Sequence, residues 1–187
     1  MEIKILSSLG SVEINGRVIP PYPKLIHLTK FEEEMEAQLK INGYNVRIAR
    51  INKDWIAILR GGLIDKKTNE LLRENFSEKL NKFFQENQNK VLCVEVIGRN
   101  TMATYKGEKN IDFFVFDVMD LDREEGKRFL SPIEVEKICK KYNFQFIPRL
   151  GKFRDKRELE QELLKVDPVF ERTKNNNIVP KYEGGVL

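Results

Sequence analysis

The stretch Lys40-Ile41-Asn42-Gly43-Tyr44-Asn45-Val46-Arg47, KINGYNVR, decides how the rest of the chain is read. Apolar and polar residues partly alternate through AQLKINGYNVRIARI, and Asn42-Gly43 interrupts the alternation with a turn signal. A second β-rich run, DWIAILRGG, follows after Asn52-Lys53-Asp54, which reads as a hairpin turn. Lys40 is therefore expected at the end of a strand, or in the turn before one, close to sheet backbone. Two chemistries remain open at this point. Lys40 is either a nucleophile on a strand-turn-strand scaffold or a solvated lysine before an ordinary glycine turn.

Working outward, IKILSS and SVEINGRVI predict short strands around Gly10, with a further turn at Asn15-Gly16. Pro20, Pro21 and Pro23 hold the next segment extended, because each fixes its own φ and restricts its predecessor. Thr29 is placed to cap a short helix, KFEEEMEAQ, whose acidic first turn suits the helix dipole. Beyond the central stretch, residues 65–89 carry Leu71, Leu72, Phe76, Leu80, Phe83 and Phe84 at helical spacing. VLCVEVIG and IDFFVFDVMD read as strands separated by a polar excursion, RNTMATYKGEKN. SPIEVEKICKKYN reads as a helix with Ser131 at the N-cap, Pro132 at N1 and Glu134 at N3. FQFIPRLGKF is a short strand and loop, DKRELEQELLKVDPVFERTK a charged helix broken at Pro168, and IVPKYEGGVL a closing strand. No strict βαβ repeat is present, and no phosphate-binding glycine fingerprint follows a strand. The expectation is an α+β fold of mostly antiparallel sheets with flanking helices, divided into N-terminal strands over 1–19 and a main domain over 20–187.

Composition narrows the function classes. A hydrophobic share of 41% with 33% charged residues fits a packed globular chain. The formal charge of +4, from 33 basic and 29 acidic residues, permits an anionic partner without requiring one. Cys93 and Cys139 lie in apolar runs without metal-ligand spacing, and a single histidine argues against a histidine-built metal centre. No apolar run approaches the roughly 18 residues of a membrane-spanning helix, and MEIKILSSLG lacks a signal peptide's apolar core. A reducing cytoplasm is the expected location, with no membrane partner.

Four features recur at predicted strand ends: Lys40 with Arg47, Arg60-Gly61-Gly62, Glu95 with Gly98, and Glu183-Gly184. A nucleophilic lysine needs a lowered pKa, which burial and neighbouring cations such as Arg47 and Arg60 would supply. Attack on a nucleotide α-phosphate also needs positive charge on the phosphoryl oxygens and usually a divalent metal held by carboxylates, for which Glu95 and Glu183 are the candidates. A carboxylate inside VLCVEVIG needs a partner if buried.

Taken in order, these segments resemble the nucleotidyltransferase domain, ATP-grasp-like in character, of ATP-dependent RNA ligases of the archaeal homodimeric type. That group lies within the wider superfamily of polynucleotide ligases and mRNA-capping guanylyltransferases. KINGYNVR matches the signature KxDGxxxR everywhere but at Asn42, and Tyr44-Asn45-Val46-Arg47-Ile48 is the form found in that group. Arg60-Gly61-Gly62 resembles the segment after it, Glu95-Val96-Ile97-Gly98 the third motif, Phe113-Phe114-Val115-Phe116-Asp117-Val118 the strand that follows, and Glu183-Gly184-Gly185-Val186 the fourth. The resemblance implies that Lys40 attacks the α-phosphate of ATP and carries AMP as a phosphoramide. It implies that Arg47 contacts the ribose or the RNA-end phosphate, that Arg60 assists in the same pocket, and that Glu95 accepts from the ribose hydroxyls. Glu183 would organise Mg2+ or Mn2+, and Phe116, or another ring of its strand, lies near the nucleotide.

The departures set the rival function. Asn42 replaces an aspartate, so a negative charge beside the lysine is lost, and Leu39 stands where these ligases usually have glutamate. The sequence ends at Leu187, directly after the fourth segment, so the family's fifth motif, a strand with two phosphate-facing lysines, and its C-terminal domains are expected to be missing. One reading is an RNA-repair ligase acting on RNA ends, with a homodimer or a complementing chain. The other is a weak or inactive nucleotide- or RNA-binding remnant of the same fold. A capping-type enzyme would form its adduct from GTP, and the Tyr44-Asn45-Val46-Arg47 context argues against it.

Overall fold

The computed structural model describes residues 2–23, 34–98, 100–101, 111–166 and, as backbone, 182–186. The chain divides into two compact units, one of Met1–Pro23 with Tyr44–Phe146 and the other of Lys24–Gly43 with Ile147–Leu187. The junctions between the units follow Pro23, Gly43 and Phe146, whereas the sequence reading sets a boundary between residues 19 and 20. Residues 20–23 stay with the N-terminal strands, because Pro20 and Tyr22 are hydrogen-bonded to the sheet of the first unit.

The first unit is built on a five-stranded sheet. Its strands are β5 (Tyr44–Ile51), β6 (Asp54–Leu59), β7 (Lys90–Ile97), β8 (Asp112–Asp120) and β9 (Gln145–Phe146), in the order β6-β5-β7-β8-β9. All neighbours are antiparallel except β8 and β9. The β5–β6 hairpin turns on Asn52, whose φ of 58° is left-handed and suits asparagine. Strand alternation sends Val46, Ile48, Leu92, Val94, Val96, Phe113 and Val115 to one face. That face packs on helices α1 (Lys66–Glu86) and α2 (Pro132–Tyr142), which bring Leu72, Leu80, Phe83, Val135 and Cys139. Asp65 caps α1 through the Thr68 amide, and Ser131 with Glu134 forms the expected capping box on α2.

The opposite face is covered by a small antiparallel sheet of β1 (Ile3–Ile5), β2 (Val12–Ile14) and β3 (Arg17–Ile19), turning at Asn15-Gly16. Val12, Ile14 and Ile19 pack there on Ala49, Ile56, Ile58, Val91, Cys93 and Met119. Both faces of the large sheet are thus buried. Each large apolar side chain so covered contributes about 1.5–3 kcal/mol.

The second unit holds a three-stranded antiparallel sheet of β4 (Met35–Ile41), β10 (Arg149–Phe153) and β11 (Tyr182–Val186), ordered β10-β4-β11, with helix α3 (Lys156–Val166). Here the structure corrects the sequence reading. The helix expected over 30–38 is strand from Met35 onward, its earlier part lying outside the described residues. The acidic composition suggested a helix, but Ala37, Leu39 and Ile41 alternate as buried positions, and two partner strands satisfy both edges of β4. The strands on either side of Asn42-Gly43 are not a hairpin, because β4 and β5 pair in different sheets. The described part of the charged segment before Pro168 is the expected helix, and the excursion over 99–110 is described only at Asn100 and Thr101. No helix among the described residues is long and apolar enough to cross a membrane.

Candidate nucleotidyltransferase site

Lys40 is the penultimate residue of β4, the central strand of its sheet, and its side chain is exposed between buried Leu39 and Ile41. Strand β11 runs antiparallel beside it, with Gly184 opposite Lys40, Gly185 opposite Leu39 and Tyr182 opposite Ile41. A register shift between Tyr182 and Gly184 leaves Glu183 in a bulge. The second unit therefore joins the predicted lysine and the fourth signature segment by backbone pairing, across more than 140 residues of sequence. Of Glu183 the backbone alone is described.

Arg47, Arg60, Glu95 and Phe116 belong to the first unit. On β5 and β7 the positions Arg47, Cys93 and Glu95 share the face that the N-terminal sheet covers in part. Glu95 is half-buried, with Asn45 and Phe114 as its register neighbours, and it has interaction partners of its own. Phe116 occupies a β8 bulge at which Cys93 pairs with Asp117 and Val94 with Val115. The bulge brings Phe116 and Asp117 to the face of Tyr22. The Phe116 ring meets that of Tyr22 edge-on at 5.0 Å, and the Tyr22 hydroxyl donates to Asp117 Oδ2 at 2.6 Å.

Arg47 differs from the expectation of a ligand-facing cation. It is fully buried and donates to three backbone carbonyls: Nη1 to Pro20, and Nη2 to Gly10 at 2.7 Å and to Leu59 at 3.2 Å. Burial lowers its pKa, an effect that the neighbouring Cys93 opposes. The Cys93 thiol is pushed well up by burial and by Asp117, with Arg47 pulling the other way. Burial also raises the Asp117 carboxyl, although the Tyr22 hydrogen bond favours its charged form. Tyr22 is raised by burial first and by Asp117, and the positive charge of Arg60 acts on it in the opposite sense. Arg60 itself follows β6 with an exposed side chain.

Tyr22, Asp117 and Cys93, which meet on this face, carry no signal of that meeting in the sequence. Asp117 stands inside the quoted strand FFVFDV, but adjacent residues on one face require a bulge that alternation does not announce. The three prolines around Tyr22 mark an extended segment, not its destination. Among the described residues no group of three or more histidine, cysteine, aspartate or glutamate side chains could hold a metal ion.

The family comparisons agree with one another. The sequence profile of the RNA ligase family matches residues 33–186. The Methanocaldococcus jannaschii protein MJ0414 is 30% identical over 142 residues, covering 72% of this chain and 34% of that protein. An archaeal ATP-dependent RNA ligase structure superposes with a TM-score of 0.70 at 24% identity, over 94% of this chain and 48% of that one. A Naegleria gruberi RNA ligase variant solved with AMP and Mn gives 0.56 at 21% identity, over 98% of this chain and 57% of that one. The chain thus spans about a third of the curated relative's length and about half that of the solved structures. With its profile match covering most of the sequence, the chain belongs to the RNA ligase family.

Proposed function

We propose that the chain is the adenylating part of an ATP-dependent RNA ligase, with Lys40 as the nucleophile. The observation that carries this reading is the exposed Lys40 on a central strand whose neighbour is the Glu183-Gly184 segment. The Nζ of Lys40 attacks the α-phosphorus of ATP, a P–N bond forms, the bond to pyrophosphate breaks, and the protons the nitrogen gives up leave to solvent. An RNA 5′-phosphate oxygen then attacks the α-phosphorus, the P–N bond breaks as the Lys40 nitrogen takes a proton from solvent, and AMP passes to the RNA end. Attack by a 3′-hydroxyl on the activated 5′-phosphate releases AMP, forms the phosphodiester and gives up the hydroxyl proton.

The other roles follow the same reading. Glu95 accepts from the ribose hydroxyls, a ring of β8 such as Phe116 lies by the base, and exposed Arg60 offers donors to a phosphate. Glu183 is the carboxylate assigned to a divalent ion, Mg2+ or Mn2+. When bound with the triphosphate, that ion supplies charge neutralisation of the departing pyrophosphate. RNA ends are the macromolecular partner, and a homodimer or a complementing chain is the assembly to look for by size-exclusion chromatography. The cytoplasm is the location this activity fits.

The test is covalent labelling. Incubation with radioactive ATP and Mg2+ or Mn2+, followed by denaturation, is expected to leave label on the wild type and none on Lys40→Ala. Label persisting in that variant rejects the assignment of Lys40. A second reading, a nucleotide- or RNA-binding remnant, is favoured by Asn42 in place of the signature aspartate. Nucleotide binding without any adduct selects it.

A further inference from the structure

The N-terminal hairpin loop and the Arg60–Gly62 turn meet in a joint at which neither Gly10 nor Gly62 has room for a Cβ. Gly10 has φ of +94°, and a Cβ there would stand 2.0 Å from the Arg60 carbonyl oxygen and 2.9 Å from the Gly62 nitrogen. Gly62 has φ of +86°, and its Cβ would stand 2.8 Å from Cγ1 of Val12. The Gly10 contacts are with backbone, so no rotamer change relieves them. Arg47 closes the same joint from beneath, since its Nη2 donates both to Gly10 O and to Leu59 O, the residue before Arg60. The turn itself is fixed by Gly62 N to Leu59 O at 2.9 Å and Leu59 N to Leu63 O at 2.8 Å. Arg60 leaves this braced backbone with its side chain exposed, and its charge reaches Tyr22.

We propose that Gly10 and Arg47 are positioning residues for Arg60: the N-terminal hairpin sets the backbone from which Arg60 meets a phosphate group. The inference rests on the ligase reading for the ligand of Arg60 and on the joint alone for the mechanism of positioning. Two sources of phosphate fit, the triphosphate of ATP and the 5′-phosphate of RNA. A displacement of about 1 Å at such a group is enough for roughly a 100-fold loss.

The experiment is a double-mutant cycle on the full chain, comparing wild type, Gly10→Ala, Arg60→Ala and the combined variant. Two rates are read: Lys40-AMP formation against ATP concentration, and sealing of chemically pre-adenylated RNA. Gly10→Ala is expected to slow one of them roughly 10- to 100-fold, with no further loss in the Arg60→Ala background. Loss in the first assay assigns the ATP phosphates, and loss in the second the RNA end. Losses that multiply overturn the proposal, because they show that Gly10 acts apart from Arg60. Arg47→Lys, which retains the charge but not the fork that spans two carbonyls, repeats the cycle if Gly10→Ala does not fold. Amide shifts provide an arm that does not depend on activity. Those of Arg60, Gly61 and Gly62 are expected to move in Gly10→Ala while those of α2 stay in place, and unmoved turn amides overturn the joint. A wild type that forms no adduct and seals no RNA rejects the ligase reading and with it the ligand of Arg60, leaving the amide arm to decide the joint.

Discussion

Lys40 and Arg47 belong to one eight-residue signature and lie in opposite surroundings. Lys40 stands exposed on the central strand of a three-stranded sheet, whereas Arg47 has no exposed surface and sits beneath an N-terminal hairpin on a five-stranded one. The chain passes from one compact unit to the other between Gly43 and Tyr44. A sequence motif is therefore not a single local structure here. Its first half presents an amine to the outside, and its second half anchors a core.

Substitutions at the two positions should separate function from stability. The largest effect expected is on activity, with Lys40→Ala abolishing the AMP adduct. Its thermal unfolding should stay within about 0.5 kcal/mol of wild type, as for other exposed positions. A large fall in stability would mean that Lys40 has a structural part in its sheet. Arg47→Ala should show the reverse emphasis. Three carbonyls lose their donor in a buried site, and with roughly 1–3 kcal/mol for a buried polar group left unsatisfied, a loss of about 3 kcal/mol or more is expected in denaturant unfolding. Wild-type stability in this variant would place Arg47 outside the core.

A smaller effect concerns the half-buried Tyr22–Asp117 pair. The Asp117 carboxyl titrates above its ordinary value because it is buried, so the folded state holds its proton more tightly than the unfolded state does. The penalty is absent below the unfolded pKa of about 4 and grows as pH rises through the folded value. Asp117→Asn, which still offers Tyr22 an acceptor, should flatten that decline, as followed by urea midpoints across the acid range. An unchanged pH slope would mean that Asp117 does not titrate differently on folding. The smallest effect is expected at the exposed α2 cap. The Ser131 hydrogen bonds and Arg123 hold Glu134 down to about 2. Its contribution should be present above the ordinary glutamate value and fade as pH falls toward 2, and Glu134→Gln should remove that component from the melting temperature. A titration of Glu134 by NMR near 4.3 would contradict this.

The same contrast explains what the sequence made legible. Elements specified by their own residues were readable: α1 from its apolar spacing, α2 from Ser131, Pro132 and Glu134, and the β5–β6 hairpin from its alternation and turn. The strand state of β4 was not, because Glu34 and Glu36 beside Met35 have the composition of a helix. Its pairing depends on β10 and β11, more than 100 residues away. The position of Lys40 near a strand end followed from Gly43 and the flanking alternation. The fate of Arg47 did not, since its acceptors come from Gly10, Pro20 and Leu59. An arginine among Val46, Ile48 and Ala49 becomes a core residue only when remote backbone supplies the carbonyls.

The most direct measurement is the intact mass of the denatured chain after incubation with ATP and a divalent metal, followed by peptide mapping. The expected result is one added AMP, located on the peptide that contains Lys40 and absent from Lys40→Ala. Nucleotide binding with no added mass, or AMP on a different residue, would contradict the account.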